Sequence, residues 1–555
     1  MRTDLCWPLL KSRRLATLSF LVLFFCPLNA QVGVNSLSDE YFDLLSLKGL
    51  VDRPYLSYRT RSELRWDWAS IKARPEDLTI PTELGDLEGR SLFLPEIRLF
   101  SGYNLNRPQG NNDGLLWQGR GYNGTAEAGF SLGSDFLSID LHPVISYSEN
   151  KSFETMPGTN PFAYFWGAAV DAPQRFGESS YSDWDWGDSA VRVTLPPFSL
   201  AGVDINVPFT IGFGTESLWL GPARLNPILH SNNAKGYPRL DAGIGKTETP
   251  LGSIEGRVFA GVLTESAYFD QNTSNDSRSL SGITASYDPV FIPGLTVAVH
   301  RTMLSFYSPL QMWNDFRTVA WPFIRWSFGH DESDQRFSIS FDYVLKPAGF
   351  ELYLEWARND FSPNLDYLWR YPFHSYGWTM GLRKVFGEAS DAWWSLLEIE
   401  ATELESSRDY ELLWTYSFYG HGIVTQGYTQ EGQWLGAGIG TGSNAQTLSW
   451  SIFGAPGRIK LSLARVQKDN DYVWFLHFGD TAARRTDEFR FNVNLIASAS
   501  VAFALSPGFL LTLEASGSRE GNPLYNPDMT TGASAEVFDA SARVYLSWNG
   551  AAVFF

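Results

Sequence analysis

Cysteine is almost missing from this chain, which carries only Cys6 and Cys26. Both precede Gln31, so everything beyond that point is without a disulfide framework or cysteine-based metal chemistry. Histidine is scarce as well, seven residues scattered over 555 with no metal-ligand spacing. A zinc or nonheme iron site therefore has little support, and neither metal nor cofactor is expected. Basic side chains are outnumbered, 43 against 61 acidic ones for a net charge of -18. That balance argues against nucleic acid as a partner. Beyond residue 30 there is also no run of about 20 apolar residues, the length a membrane-spanning helix needs. The longest stretch, Leu495 to Leu505, is broken by Ser498 and Ser500.

What is present begins with a targeting segment. Lys11, Arg13 and Arg14 precede an apolar run from Leu15 to Cys26, and Leu28-Asn29-Ala30 reads as a small-residue cleavage signal. The pattern predicts a leader over residues 1–30 and a mature start at Gln31. Cys26 follows Phe24 and Phe25 rather than a small residue, which argues against lipoprotein processing.

A two-residue period then recurs along the chain, placing successive side chains on opposite faces of strands. Phe337, Ile339, Phe341, Tyr343 and Leu345 alternate with Ser338, Ser340, Asp342 and Val344; Phe350, Leu352, Leu354 and Trp356 alternate with Glu351, Tyr353, Glu355 and Ala357. Similar stretches run through Leu137 to His142, Ile459 to Ala464, Phe489 to Leu495 and Leu511 to Ser516. In a soluble sandwich the apolar phase is inside; in an outer-membrane barrel it is outside, against lipid. Periodicity alone does not separate these. Export without disulfides, the number of such strands, the aromatic content of 15% and a terminal Phe555 favour an all-β fold, a transmembrane antiparallel β-barrel. Asn549-Gly550 offers a turn just before that end.

Residues 31–88 read differently, as an N-terminal periplasmic helical segment ahead of a barrel over 89–555. Leu37, Tyr41, Leu44, Leu45 and Lys48 fall at helical spacing, with Ser36 or Ser38 as cap and Gly49 as stop; a disordered leader is the alternative. Ser57 to Ala73 is a second candidate helix before Pro75. Turn-rich stretches, Asn104 to Gly114, Gly158 to Asn160 and Gln271 to Ser277, fit loops.

No catalytic constellation stands out. His230-Ser231 lacks an acidic partner and a nucleophile motif, so a polar turn is the better reading. Asp342, Glu351, Glu355, Glu398, Glu400 and Glu514 share the polar phase of their strands. Two of them at the right separation could cleave a glycosidic bond, but solvating a lumen and pairing with basic groups on neighbouring strands is the simpler expectation. Two aromatic clusters are candidate sugar contacts: Tyr181, Trp184 and Trp186, and Tyr367, Trp369 and Tyr371. Their alternative role is the interfacial girdle of the barrel.

One stretch is more specific. Trp219-Leu220-Gly221-Pro222-Ala223-Arg224, followed by Ser231-Asn232-Asn233-Ala234-Lys235-Gly236-Tyr237-Pro238, resembles the signature of the Wzi family of capsule assembly proteins. Leu220 stands where that family often has a second tryptophan, and Lys235-Gly236 interrupts the approach to Pro238. Tyr353 to Ala357 with Asn359-Asp360, Tyr419-Gly420-His421 with Gly427, Gly432, Gly436 and Gly440, and Leu44 to Val51 are similar to the family in the same order. From the residues alone the motif serves equally as structure, Gly221-Pro222 as a turn and the asparagines as bridges, or as a ligand site. The resemblance implies an 18-stranded barrel, a monomer without enzymatic activity that binds and anchors capsular or related surface polysaccharide. Its other partners would be membrane lipid, lipopolysaccharide and the barrel-assembly machinery. The alternative is a porin or specific sugar channel.

Overall fold

The computed structural model describes residues 29–31, 36–67, 94–134, 136–156, 170–196, 198–200, 203–205, 207–270, 272–320, 333–359, 369–388, 391–407, 416–454, 457–472, 491–506, 509–525 and 536–549. Most of the expected leader, together with Tyr367 and Phe555, lies outside these residues.

Eighteen antiparallel strands close a single barrel. In chain order they are β1 (Leu94–Asn104), β2 (Gly121–Gly133), β3 (Leu137–Leu141 with Val144–Ser148), β4 (Tyr181–Asp185 with Ala190–Leu195), β5 (Phe209–Gly214) and β6 (Arg239–Thr249). Next come β7 (Gly252–Thr264), β8 (Ser277–Pro289), β9 (Leu295–Phe306), β10 (Asp334–Leu345), β11 (Phe350–Asn359) and β12 (Tyr376–Phe386). The last are β13 (Trp393–Glu403), β14 (Asn444–Gly454), β15 (Gly457–Gln467), β16 (Val493–Ser506), β17 (Phe509–Gly521) and β18 (Glu536–Asn549). Two strands are interrupted. Pro143 has no N–H to give the ladder, so β3 breaks there, and β4 breaks beside it at Gly187. Closure comes from β18 on β1, with Ala542 opposite Tyr103 and Trp548 opposite Ile97.

The phase of the alternation is that of a membrane barrel. In β11 Glu351, Tyr353 and Glu355 are buried in the lumen while Leu352 and Leu354 are exposed. In β15 Ile459, Leu461 and Leu463 face out, Leu463 at 60% exposure. Among the described residues no helix is long and apolar enough to cross a membrane.

One end of the barrel has short connections, such as Gly454 to Gly457 between β14 and β15. The other end carries long ones, including 104–121, 214–239 and 403–444. Short turns mark the periplasmic side of such barrels. Helix α1 (Leu37–Leu47) sits inside this short-turn end. Its N-cap is Ser36, whose side chain accepts the Asp39 N–H at 3.1 Å, and Gly49 follows it at φ +71°. The apolar face, Tyr41, Phe42, Leu44, Leu45 and Leu47, is buried against Val385, Trp394, Leu396 and Phe453 of the barrel wall.

The second candidate helix is not formed over the described part of Ser57 to Ala73. Tyr58–Arg59 is a short strand pairing with Trp219–Leu220, and Arg65–Asp67 pairs with Asn29–Gln31. The reason is tertiary. Arg59 and Arg61 are buried, and the chain runs extended through the lumen so that each arginine meets wall or loop partners rather than solvent.

Candidate functional site

The lumen is filled by the chain itself. Residues 53–64 enter from the short-turn end, and the loops 214–239 and 416–443 fold inward from the other. The stretch singled out by resemblance lies where they meet. Trp219 is fully buried; its indole Nε1–H donates to the Ala223 carbonyl at 2.9 Å, and the Arg59 guanidinium lies 5.1 Å from its ring centroid. Gly221 takes φ +83°, and its N–H donates to the Ser57 carbonyl at 3.0 Å. A Cβ there would lie 3.1 Å from a Glu355 carboxylate oxygen. Pro222 is buried in the same turn and Pro238 is exposed at its far end.

The serine and asparagines tie the two inner loops together. Ser231 Oγ–H donates to the Gly436 carbonyl at 2.6 Å, and Asn233 Nδ2–H donates to the Trp434 carbonyl at 3.0 Å. The Asn232 carbonyl accepts the Gly114 N–H at 2.8 Å, adding the loop 104–121, and Ala234 is buried between them. His230 is buried against Tyr237, with 2.8 Å between its Nε2 and the hydroxyl. Burial, helped by Arg239, pushes its pKa down to about 3, so the ring is neutral at physiological pH. Enclosed and hydrogen-bonded to Tyr237, it packs as a polar core group.

The lumenal carboxylates hold this plug. Glu400 accepts the N–H groups of Arg224 (2.7 Å), Leu225 (3.1 Å) and Asn226 (2.8 Å), and also the Tyr353 hydroxyl at 2.7 Å. Glu255 does the same for Leu56 and Ser57, at 2.6 and 2.8 Å. Glu351 pairs with Arg53 and Arg383, each at 2.7 Å, and Asp342 pairs with Arg53 at 3.0 Å. Glu355 accepts the Ile228 N–H at 3.3 Å. The expected neighbouring-strand pairing is seen in Glu514 with Arg543 and in Glu351 and Glu398 with Arg383. The plug takes the rest, and alternation could not reveal this because these partners lie in loops far along the chain.

Helix α1 is latched to the wall by charge. Glu40 pairs with Arg458 and, at 3.0 Å, with Lys460; Asp43 pairs with Arg383 and, at 2.8 Å, with Arg53. Burial alone would raise the Glu40 carboxyl, but Arg458 and Lys460 outweigh it and hold it at about 2. Beside this latch a cavity of about 290 Å³ remains, bounded by Glu40, Arg458 and Lys460 and by the hydroxyls of Ser449, Ser462 and Ser498.

At the long-loop end, above the plug, four rings from four segments meet. Trp117 stacks on Phe176 (4.8 Å between centroids, 25°), which stacks on Tyr181 (5.7 Å) and meets Tyr268 edge-on at 5.4 Å. The Tyr181 hydroxyl donates to the Trp117 carbonyl at 2.8 Å. Next to them Lys235 pairs with Glu431 at 2.5 Å and Asp183 at 3.4 Å. Of this cluster only Tyr181 was legible in the sequence. Trp117, Phe176 and Tyr268 lie in three separate loops and share no local pattern.

The remaining aromatics are divided. Strand alternation turns Tyr181 toward the lumen and Trp184 outward, at 62% exposure, where it meets Trp186 edge-on at 5.8 Å on the lipid side. Trp369 is 85% exposed, and Tyr371 is half-buried nearby in the chain. Among the described residues no group of three or more His, Cys, Asp or Glu side chains is placed to hold a metal ion.

No protein-family model matches this chain, and no curated protein matches it in sequence. Solved structures do match. One is Wzi of Escherichia coli, described as an outer-membrane protein involved in group 1 capsule assembly and a carbohydrate-binding β-barrel. It is 13% identical with TM-score 0.59, covering 93% of this chain and 99% of that one. Others are OccAB4 of Acinetobacter baumannii (10% identity, TM-score 0.39, 83% and 98% covered) and OprD of Pseudomonas aeruginosa (8%, 0.38, 83% and 93%). At these identities the likeness to Wzi is one of fold. The chain is an outer-membrane β-barrel.

Proposed function

We propose that this chain is a carbohydrate-binding barrel that holds capsular or related surface polysaccharide at the outer face of the membrane and carries out no reaction. The observation that supports it is the plug. With the lumen occupied by 53–64, 214–239 and 416–443, ligand contact shifts to the long-loop mouth, where Trp117, Phe176, Tyr181 and Tyr268 gather beside Lys235, Asp183 and Glu431. Aromatic faces suit the C–H faces of sugars, and the charged groups suit their hydroxyl edges. Tyr367, Trp369 and Tyr371, between β11 and β12 in the chain, are proposed as a further contact, whereas Trp184 and Trp186 are assigned to the girdle. The chain acts as a monomer surrounded by lipid and lipopolysaccharide and reaches the membrane through the barrel-assembly machinery.

The test is a glycan-binding screen on the purified barrel, paired with surface polysaccharide retention in a deletion strain. Tyr268→Ala should weaken binding about tenfold, the equivalent of roughly 1.4 kcal/mol. No binding to any glycan, with unchanged retention in the deletion strain, overturns the reading. A sugar or ion channel is the second reading, favoured by the polar cavity beside α1. It predicts a large stable conductance in planar bilayers, where the plugged lectin predicts almost none.

A further inference from the structure

Several side chains on the lipid side of the wall have the wrong chemistry for hydrocarbon. In β8 and β9 the even positions face the lumen: Arg278 donates to the Gly427 carbonyl at 2.8 Å, and Thr302 accepts from the Tyr428 hydroxyl at 3.4 Å. The odd positions therefore point outward, and they include Ser279, Ser281, Arg301 and Ser305. Many outward residues elsewhere on the wall are open, such as Val299, Phe341 and Leu354, yet these four are buried.

What covers them is α2 (Pro309–Ala320), which turns back from the outer end of β9 and packs on the outside of β7, β8 and β9. Its buried Asp315 accepts from the Ser305 hydroxyl and, at 3.1 Å, from that of Ser333, and Gln311 donates to it at 2.9 Å. Arg301 donates to the Thr318 carbonyl at 3.4 Å and to outward-facing Gln335 at 2.8 Å. The polar underside of the helix thus answers the polar patch on the wall.

Its other face is apolar. Leu310 is 70% exposed and Trp313 58%, with Trp313 stacked on Phe316 at 6.1 Å and 24°. Exposed Arg317 lies one turn further along. We propose that α2 is an interfacial helix whose Leu310, Trp313 and Phe316 enter the acyl–headgroup boundary of the outer leaflet, with Arg317 reaching the headgroups. The occupant is lipid because the helix is fastened to the lipid-facing wall, so its apolar face continues that surface. A tryptophan and a snorkelling cation on an amphipathic helix match this depth. The inference needs only the barrel and stands apart from the carbohydrate reading.

Single-cysteine variants of the full chain, with Cys6 and Cys26 replaced by serine, test it. Trp313→Cys is compared with Leu463→Cys on the wall and Asn272→Cys in an exposed loop, each spin-labelled and reconstituted in phosphatidylcholine vesicles. Collision with oxygen and with a water-soluble nickel chelate is measured. The label at 313 should favour oxygen to within about threefold of the label at 463, well above that at 272. A label at 313 that matches 272 overturns the proposal. So does one shielded from both reagents with close spin–spin distances between chains, which would make the face a contact between copies.

Discussion

Glu40 shows how much one side chain contributes to the closed lumen. Replacing it with glutamine leaves Arg458 without its carboxylate and Lys460 with Glu398 alone, at a cost of roughly 1.5–3 kcal/mol at neutral pH. Because its folded pKa is depressed to about 2, the stabilisation is full above the ordinary carboxylate range and disappears as pH falls from about 4.5 through about 2. Urea unfolding of wild type and Glu40→Gln should therefore differ at pH 7 and converge toward pH 2. Asp113 has the opposite sign. Burial, against the pull of Arg543, raises it to about 6, so this residue makes the folded state less stable as pH rises from about 4 through about 6. Asp113→Asn should raise the unfolding midpoint at pH 7.5 and leave it nearly unchanged at pH 4. Gly221→Ala places a Cβ at φ +83° close to Glu355, costing about 1–2 kcal/mol. It should show as faster proteolysis of the loop 214–239 with the barrel intact.

At the scale of elements, the strands and α1 were legible because their signals are local. Leu352 and Leu354 alternating with Glu351 and Glu355, or Ser36 before Leu37, need no distant partner to be read. The pairing of Tyr58–Arg59 with Trp219–Leu220 had no such signal, since an arginine-rich stretch reads as a polar helix until its buried partners are known. The tryptophan–glycine–proline stretch was visible as a motif, but its task, joining loops through Ser231, Asn232 and Asn233, depends on the distant residues Gly436, Gly114 and Trp434. Helix α2 went unread for a related reason. Its buried Asp315 is answered from the wall side by Ser305 and Ser333, which the local sequence does not show. Asp315→Ala should cost about 1–3 kcal/mol by removing the buried acceptor that Ser305, Ser333 and Gln311 share, measured as a lower unfolding midpoint in detergent.

For the whole molecule, the plug and the wall are separable in principle, since the ladder from β1 to β18 closes without residues 36–67. Deleting that segment should leave a heat-resistant barrel and raise single-channel conductance well above that of the intact chain. If conductance stays flat, the inward loops alone seal the lumen. The same geometry constrains how the protein is made. The last strand to be synthesised, β18, pairs with the first, β1, while α1 and the chain through Leu64 lie inside the ring those two complete. Either the N-terminal segment is already threaded when the seam shuts, or it slides in afterwards past Arg458 and Arg383. Only the first route lets the buried pairs of Glu40 and Asp43 form before solvent is shut out. On that route insertion and ring closure coincide, whereas a chain that seals first encloses only the inward loops 214–239 and 416–443 until its N-terminal segment enters.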